Sequence, residues 1–239
     1  MQELAQITDL HIDDRQSKKY SVDARNNLLV VLDSIQQRGI KRLFISGDLA
    51  ESGSLKWLKE VLQRFGFEYH VALGNHDSLD DLRANGLIQH NPTSDESLYY
   101  LIDNATIVLD SSSGLINAVQ MNFLKESLLN AGGHALVFCH YPIFDCGNSV
   151  MDRLYPLKNR QEVADLLLSS SMRIDLYCGH YHTTHDQEIR NVRQHVTPAT
   201  SMQIKKDGDA IAIEKKGIGY RIIRTENGVC TDEVVMLKG

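Results

Sequence analysis

The stretch KRLFISGD, residues 41–48, decides how this chain folds. Leu43, Phe44 and Ile45 make a short apolar run of strand character that stops at Gly47-Asp48. Upstream, the spacing predicts a helix over 22–37, capped by Ser21 and stopped by Gly39. Its Leu28, Leu32 and Ile35 recur every three or four residues, whereas Arg25, Asp33 and Gln36 fall largely elsewhere, as on a helix lying against a sheet. A polar loop leads back from it to a first strand over 3–8. Downstream, Ser54 caps a helix carrying Leu55, Leu58, Leu62 and Phe65, and a third strand follows over 67–72. This β-α-β-α-β order implies a parallel sheet.

Two further strands are expected at 98–101 and 106–110, then a helix over 118–130 and strands at 134–139 and 173–178. Beyond Gly179 the texture changes to short alternating runs at 187–190, 193–197, 210–214, 220–225 and 229–236. Turns at Asn191, Asp207-Gly208 and Glu226-Asn227-Gly228 separate them, which predicts an antiparallel C-terminal third. With no repeat, low-complexity tract or Pro-rich linker, residues 1–239 are expected to form one domain.

Composition narrows the function. Apolar residues make up 42% and charged residues 23%, the balance of a chain with a proper core. A net charge of −6 offers no basic face for a long nucleic-acid backbone, so a nucleic-acid partner is not expected. No run approaches the roughly 18 apolar residues of a membrane span, and the first residues lack the basic flank of a secretory signal. Cys139, Cys146, Cys178 and Cys230 form no C-x-x-C pair and fit buried thiols in a reducing compartment. The expected location is therefore cytoplasmic.

The chemistry lies in what directly follows the expected strands, at the edge where open α/β sheets place their sites. Five strand ends carry Asp9-Leu10-His11, Gly47-Asp48, Gly74-Asn75-His76-Asp77, His140-Tyr141-Pro142 and Gly179-His180-Tyr181-His182. A lone Gly-Asp there is usually a turn or a helix cap. Five turns all placing Asp, Asn or His at one edge point to a site, and paired imidazoles in His-x-His commonly grip transition metals. His70, His90, His134, His185 and His195 lie outside these blocks and are expected to be surface or hydrogen-bonded histidines.

The ordered blocks D-x-H, G-D, G-N-H-D, H and G-H-x-H, running from Asp9 to His182, resemble those of calcineurin-like metallophosphoesterases, and among these the class III cyclic nucleotide phosphodiesterases. The resemblance implies an α/β fold, a four-layer αββα sandwich of two mixed sheets flanked by helices. It implies that Asp9, His11 and His182 hold one divalent metal ion, that Asn75, His140 and His180 hold a second, and that Asp48 bridges them. Mixed imidazole and carboxylate ligands suit Mn, Fe or Zn better than Ca or Mg. Two such ions roughly 3.5–4 Å apart generate a bridging hydroxide and clamp a phosphoryl group for in-line attack.

His76 is then expected to protonate the leaving group or stabilise the transition state, with Asp77 orienting its ring. Residues 197–203 resemble the S-P-S-T stretch of the class III enzymes, and Gly219-Tyr220-Arg221 their P-G-Y-R strand. The expected reaction is hydrolysis of a small-molecule phosphoester, a 3′,5′-cyclic nucleotide opened to the 5′-monophosphate. Phosphomonoester or nucleotide pyrophosphate hydrolysis on the same centre is the alternative, and a non-catalytic interaction module the reading from another class.

Overall fold

The computed structural model describes residues 2–88, 93–148, 150–214, 217–226 and 228–238; His90 and Asn227 lie outside the described residues. The chain begins with β1 (Gln2–Ile7), α1 (Arg15–Tyr20), α2 (Ala24–Gln37), β2 (Arg42–Ser46), α3 (Leu55–Phe65), β3 (Glu68–Ala72) and α4 (Leu79–Ala84). It continues with β4 (Tyr100–Asp103), β5 (Thr106–Val108), α5 (Ala118–Asn130), β6 (His134–Phe138), α6 (Met151–Leu154), α7 (Arg160–Ser169) and β7 (Arg173–Cys178). The remainder is β8 (His185–Ile189), β9 (Val192–Val196), β10 (Gln203–Ile204), β11 (Ile213–Glu214), β12 (Ile218–Glu226) and β13 (Val229–Leu237).

One sheet has the order β13-β12-β1-β2-β3, and the other β4-β5-β6-β7-β9-β8. In the first, β1, β2 and β3 run parallel, as the β-α-β-α-β pattern requires, and β12 pairs antiparallel with β1. In the second, β5, β6, β7 and β9 are parallel, with antiparallel β4 and β8 at the edges. The C-terminal third is therefore not wholly antiparallel, because β9 joins β7 in the parallel direction after the chain turns back through β8.

Strand alternation builds the layers. Leu136 and Phe138 of β6 face the inter-sheet core, whereas Ala135 and Val137 face the helices α5 and α7. Between the sheets the rings of Phe44 and Phe138 stack with centroids 3.9 Å apart. On the far side of the first sheet, Leu28, Val31, Leu32 and Ile35 of α2 are all buried, each contributing about 1.5–3 kcal/mol. The result is the αββα sandwich.

Two local expectations are corrected. The loop after β1 contains the helix α1, and Ser21 ends it in a left-handed conformation, φ 51°, rather than starting α2. Asp23 caps α2 instead, accepting from the Asn26 backbone N–H. Ser54 stands at the start of α3, but its hydroxyl is drawn off to the Asp13 carboxylate.

Candidate metal centre

The parallel strands β1, β2 and β3 of one sheet and β6 and β7 of the other deliver their carboxyl ends to one rim. At that rim Asp9, His11, Asp48, His180 and His182 all have left-handed backbones, with φ between 47° and 67°. Asp and His tolerate this region better than most residues, yet each such residue costs of order 1–3 kcal/mol. The sharp turns fold these side chains back over the strand ends. Two glycines make room: a Cβ on Gly74 would overlap Asp48 Oδ1, and one on Gly179 would overlap Thr8 Oγ1. Any side chain at either position would therefore push a carboxylate or its neighbour out of place.

Asp9, His11 and His182 form one cluster and Asp48, His140 and His180 another, the possible ligand atoms in each lying within 4.8 Å of one another. In the first, His182 Nε2 is 3.2 Å from Asp9 Oδ1 and 3.1 Å from His11 Nε2. Asp48 Oδ2 stands between the two clusters, 3.5 Å from His11 Nε2 and 3.4 Å from His140 Nε2. Its other oxygen accepts from the His76 backbone N–H at 2.9 Å, which fixes the carboxylate.

Each imidazole is aimed from behind. His11 Nδ1 meets Asp14 Oδ2 at 2.6 Å, His140 Nδ1 the Ser46 carbonyl at 2.8 Å, and His182 Nδ1 the Met202 carbonyl at 2.8 Å. His180 turns Nε2 to the Tyr155 carbonyl at 3.1 Å and leaves Nδ1 free. A histidine that donates one ring N–H to an acceptor presents the lone pair of its other nitrogen, which is how metal-binding imidazoles are oriented.

Two buried atoms in the cage, Asp9 Oδ1 and His140 Nε2, lie near other polar atoms but have no partner in hydrogen-bond geometry among the described residues. Asp9 Oδ2 is already saturated by the His180 N–H and the Thr8 hydroxyl. Orphaned buried polar atoms are costly, and a pair of them facing one space fits a cation. The donor set therefore fits two divalent metal ions.

The electrostatics agree. Burial would raise the Asp9 pKa, but the charges of His182 and His140 hold it far below the usual carboxylate range. Asp48 is likewise lowered against its burial, by His140, His11 and His76. Burial pulls His11 and His140 down, yet the surrounding carboxylates outweigh it and push them up to about 9 and about 10. Protons on these rings thus fill part of a demand for positive charge. His180 is driven the other way, down to about 3, by burial and by the charge on His140.

Six of the expected residues, Asp9, His11, Asp48, His140, His180 and His182, are brought together. Asn75 and His76 are exposed at the edge of a cavity of about 200 Å³ opening from the cage, and the His76 ring stands edge-on to His11, centroids 5.2 Å apart. The Asn75 amide has no hydrogen-bond partner among the described residues. Asp77 does not orient His76. Its carboxylate accepts from the backbone N–H groups of Asp48, Leu49 and Gly74 at 2.7–2.8 Å, tying the second and third ligand loops together. Burial and the charge of Asp48 push it up to about 7.

Asp14 is the residue that strand-end reading missed; an Asp three positions after His11 and before a Ser-containing polar run was the available signal. Residues 197–203 serve as a buttress. The Ser201 hydroxyl donates to the Asp9 carbonyl at 2.6 Å, and the Thr200 N–H to the Thr8 carbonyl at 2.9 Å. Cys139 and Cys178 point into the helix-side core, away from the ligands, and all four cysteines are free.

Residues 3–211 match the family described as calcineurin-like phosphoesterase. The chain belongs to this family. Among calcineurin-like phosphoesterases it is 28% identical over 225 residues to a probable cyclic nucleotide phosphodiesterase of Fibrobacter succinogenes, covering 92% of this chain and 88% of that one. It is 25% identical over 236 residues to the 3′,5′-cyclic adenosine monophosphate phosphodiesterase CpdA of Haemophilus influenzae, covering 92% and 84%. The fold also matches the crystal structure of a dimetal phosphatase from Danio rerio, with TM-score 0.67, 12% identity and coverage of 99% and 98%. The match to the calcineurin-like phosphoesterase family ends before β12 and β13, which nonetheless complete its first sheet beside β1.

Proposed function

We propose that this chain hydrolyses small phosphodiesters, with 3′,5′-cyclic nucleotides opened to 5′-monophosphates as its substrate class. The observation that carries the reading is Asp48 Oδ2 shared between two His-Asp clusters at the floor of an open cavity. Asp9, His11 and His182 would hold one divalent cation and Asn75, His140 and His180 a second, with Asp48 shared between them. Manganese, iron and zinc are the ions that suit these ligands. When bound, such a pair supplies a hydroxide nucleophile at neutral pH and polarises the phosphoryl oxygens.

The protein's own groups do the rest. Asp14 and the carbonyls of Ser46 and Met202 hold three imidazoles in one tautomer. Asp77 fixes the loops that present Asp48 and Asn75. His76, held by its backbone to Asp48 and with its ring at the cavity, donates a proton to the departing ribose oxygen as the P–O3′ bond breaks. The names of the two relatives support a cyclic nucleotide over other diesters.

One domain spans the chain on this reading, since β12 near its end pairs with β1 at its start. A cytoplasmic location fits four free, buried cysteines. No helix among the described residues is long and apolar enough to cross a membrane.

The test is a substrate panel of cyclic AMP, bis-p-nitrophenyl phosphate and p-nitrophenyl phosphate, assayed separately with Mn, Fe and Zn. Higher kcat/KM on cyclic AMP than on the monoester is expected. A clear monoester preference with every metal would overturn the assignment.

A further inference from the structure

The cavity over the cage has a lining of two kinds. Part of it is ionic, and part is apolar, formed by Ile204, Ile211 and Ile213 of the β10–β11 hairpin together with Met151. These two strands pair only with each other and belong to neither main sheet. One face of the hairpin is anchored, as Ile204 packs with Cys146, Met151, Tyr181 and Val196. Ile211, by contrast, remains 37% exposed at the cavity, an isoleucine left in water with no core to join. Such a wall offers nothing to a phosphate or to sugar hydroxyls, which need polar partners. It fits a flat apolar face.

The helix α1 contributes Gln16, Lys19 and Tyr20 to the same lining. Gln16 lines the cavity and is half-buried, and its side-chain amide has no hydrogen-bond partner among the described residues. An amide presents a donor and an acceptor side by side, the complement of a heterocycle edge that does the same. An apolar surface for a ring face and a group for a ring edge therefore line the same cavity as the cage.

We propose that the β10–β11 hairpin and Gln16 are the specificity-determining elements of this site, forming a slot that seats the nucleobase while the cage holds the phosphate. The inference rests on the cyclic nucleotide reading of the same site and names the residues that impose it. Selectivity for nucleotides then comes from apolar contact with Ile204, Ile211 and Ile213 and from the Gln16 amide, and it acts on binding more than on the chemical step.

The experiment uses the full chain loaded with Mn and measures, by calorimetry, the affinities of adenosine 5′-monophosphate and of ribose 5-phosphate, which carries an anomeric hydroxyl in place of the base. In the unaltered protein the nucleotide is expected to bind at least tenfold more tightly. In Ile211→Ser/Ile213→Ser, and separately in Gln16→Leu, the ratio is expected to fall several-fold through the nucleotide alone, with KM for cyclic AMP rising accordingly. Equal affinities in the unaltered protein, a ratio measurable even if a variant fails to fold, would overturn the slot. A ratio that survives in both folded variants would do the same. Failure of the reaction reads differently: a protein that binds the nucleotide tenfold better yet turns over no cyclic AMP keeps the slot and loses the activity.

Discussion

Among the described residues, two regions of this sandwich gather histidine and carboxylate side chains, and their charges are met differently. At the rim, Asp9, His11 and His182 converge beside Asp48, His140 and His180; elsewhere, Asp186, His195 and Asp232 bring their ligand atoms equally close, within 4.8 Å. The second cluster already contains its cation. Arg221, 1% exposed, reaches Asp186 at 2.6 Å and also pairs with Asp232, so it ties β8 of one sheet to β12 and β13 of the other. At the rim no lysine or arginine pairs with Asp9 or Asp48 among the described residues. Residue types alone thus do not make a metal site. What distinguishes the rim is negative charge that the chain leaves for something else to neutralise.

The sharpest way to break this contrast is to remove one charge from each cluster. Asp48→Ala takes away the shared carboxylate, and activity on cyclic AMP should vanish while metal analysis shows loss of bound ion. The fold should survive, because Asp9 loses a like-charged neighbour that burial makes costly. A variant retaining both metals and activity would remove Asp48 from the bridge. Next in size, His76→Ala should keep both metals and lose about 10²–10⁴-fold in rate on cyclic AMP. It should lose far less on an activated nitrophenyl ester, whose leaving group needs little proton assistance. Equal losses on both would end the acid role.

Arg221→Met has the inverse signature. The aliphatic stem remains, but Asp186 and Asp232 lose their cation. Only Arg221 is fully buried and Asp186 is half-exposed, so the loss should fall below the about 3–5 kcal/mol of a fully buried pair. Thermal denaturation should show the loss, and metal content of the folded fraction should be unaffected. Loss of metal with unchanged stability would mean that the two clusters have been assigned the wrong way round. A smaller effect is expected from Asp14→Asn, which weakens the grip on His11 Nδ1: metal affinity should drop about 10–100-fold with little change in melting temperature.

The rim was legible in the sequence because its candidate ligands sit at strand ends, where a short apolar run such as Leu43-Phe44-Ile45 announces the position of the next polar residue. The second cluster was not. His195 read as an ordinary hydrogen-bonded histidine, which it is, but nothing local says that Arg221, on a different sheet, will lie beside its neighbours. The walls of the cavity were equally hidden. The helix α1 is six residues long, and β10 and β11 are two residues each, all too short for a period to register. Asp77 illustrates the same limit at atomic scale: its neighbour in sequence is His76, but its partners are three backbone amides that only the folded loops bring within reach.

The smallest effect separates the clusters by pH. Asp175 is fully buried beside the second cluster, 2.6 Å from both His134 Nε2 and Arg193, and 3.2 Å from His195. Burial would raise its pKa, but these partners hold it far below the ordinary range. A carboxylate lowered on folding contributes stability that is complete above its unfolded pKa, about 3.9, and is lost as pH falls toward the folded value. His195 has the opposite sign: burial lowers it, yet Asp175, Asp186 and Asp232 raise it overall, so its contribution is complete below about pH 6.5 and fades as pH rises through the raised value. Between the two limits the network is fully charged. Denaturant titrations should therefore show stability falling below pH 4 with a slope of up to about 1.4 kcal/mol per pH unit from this one proton. Asp175→Asn should flatten that slope in metal-free and metal-loaded protein alike, since Asp175 contacts none of the rim residues. If flattening appeared only in the loaded protein, the two clusters would be coupled, and the independence on which the comparison rests would be gone.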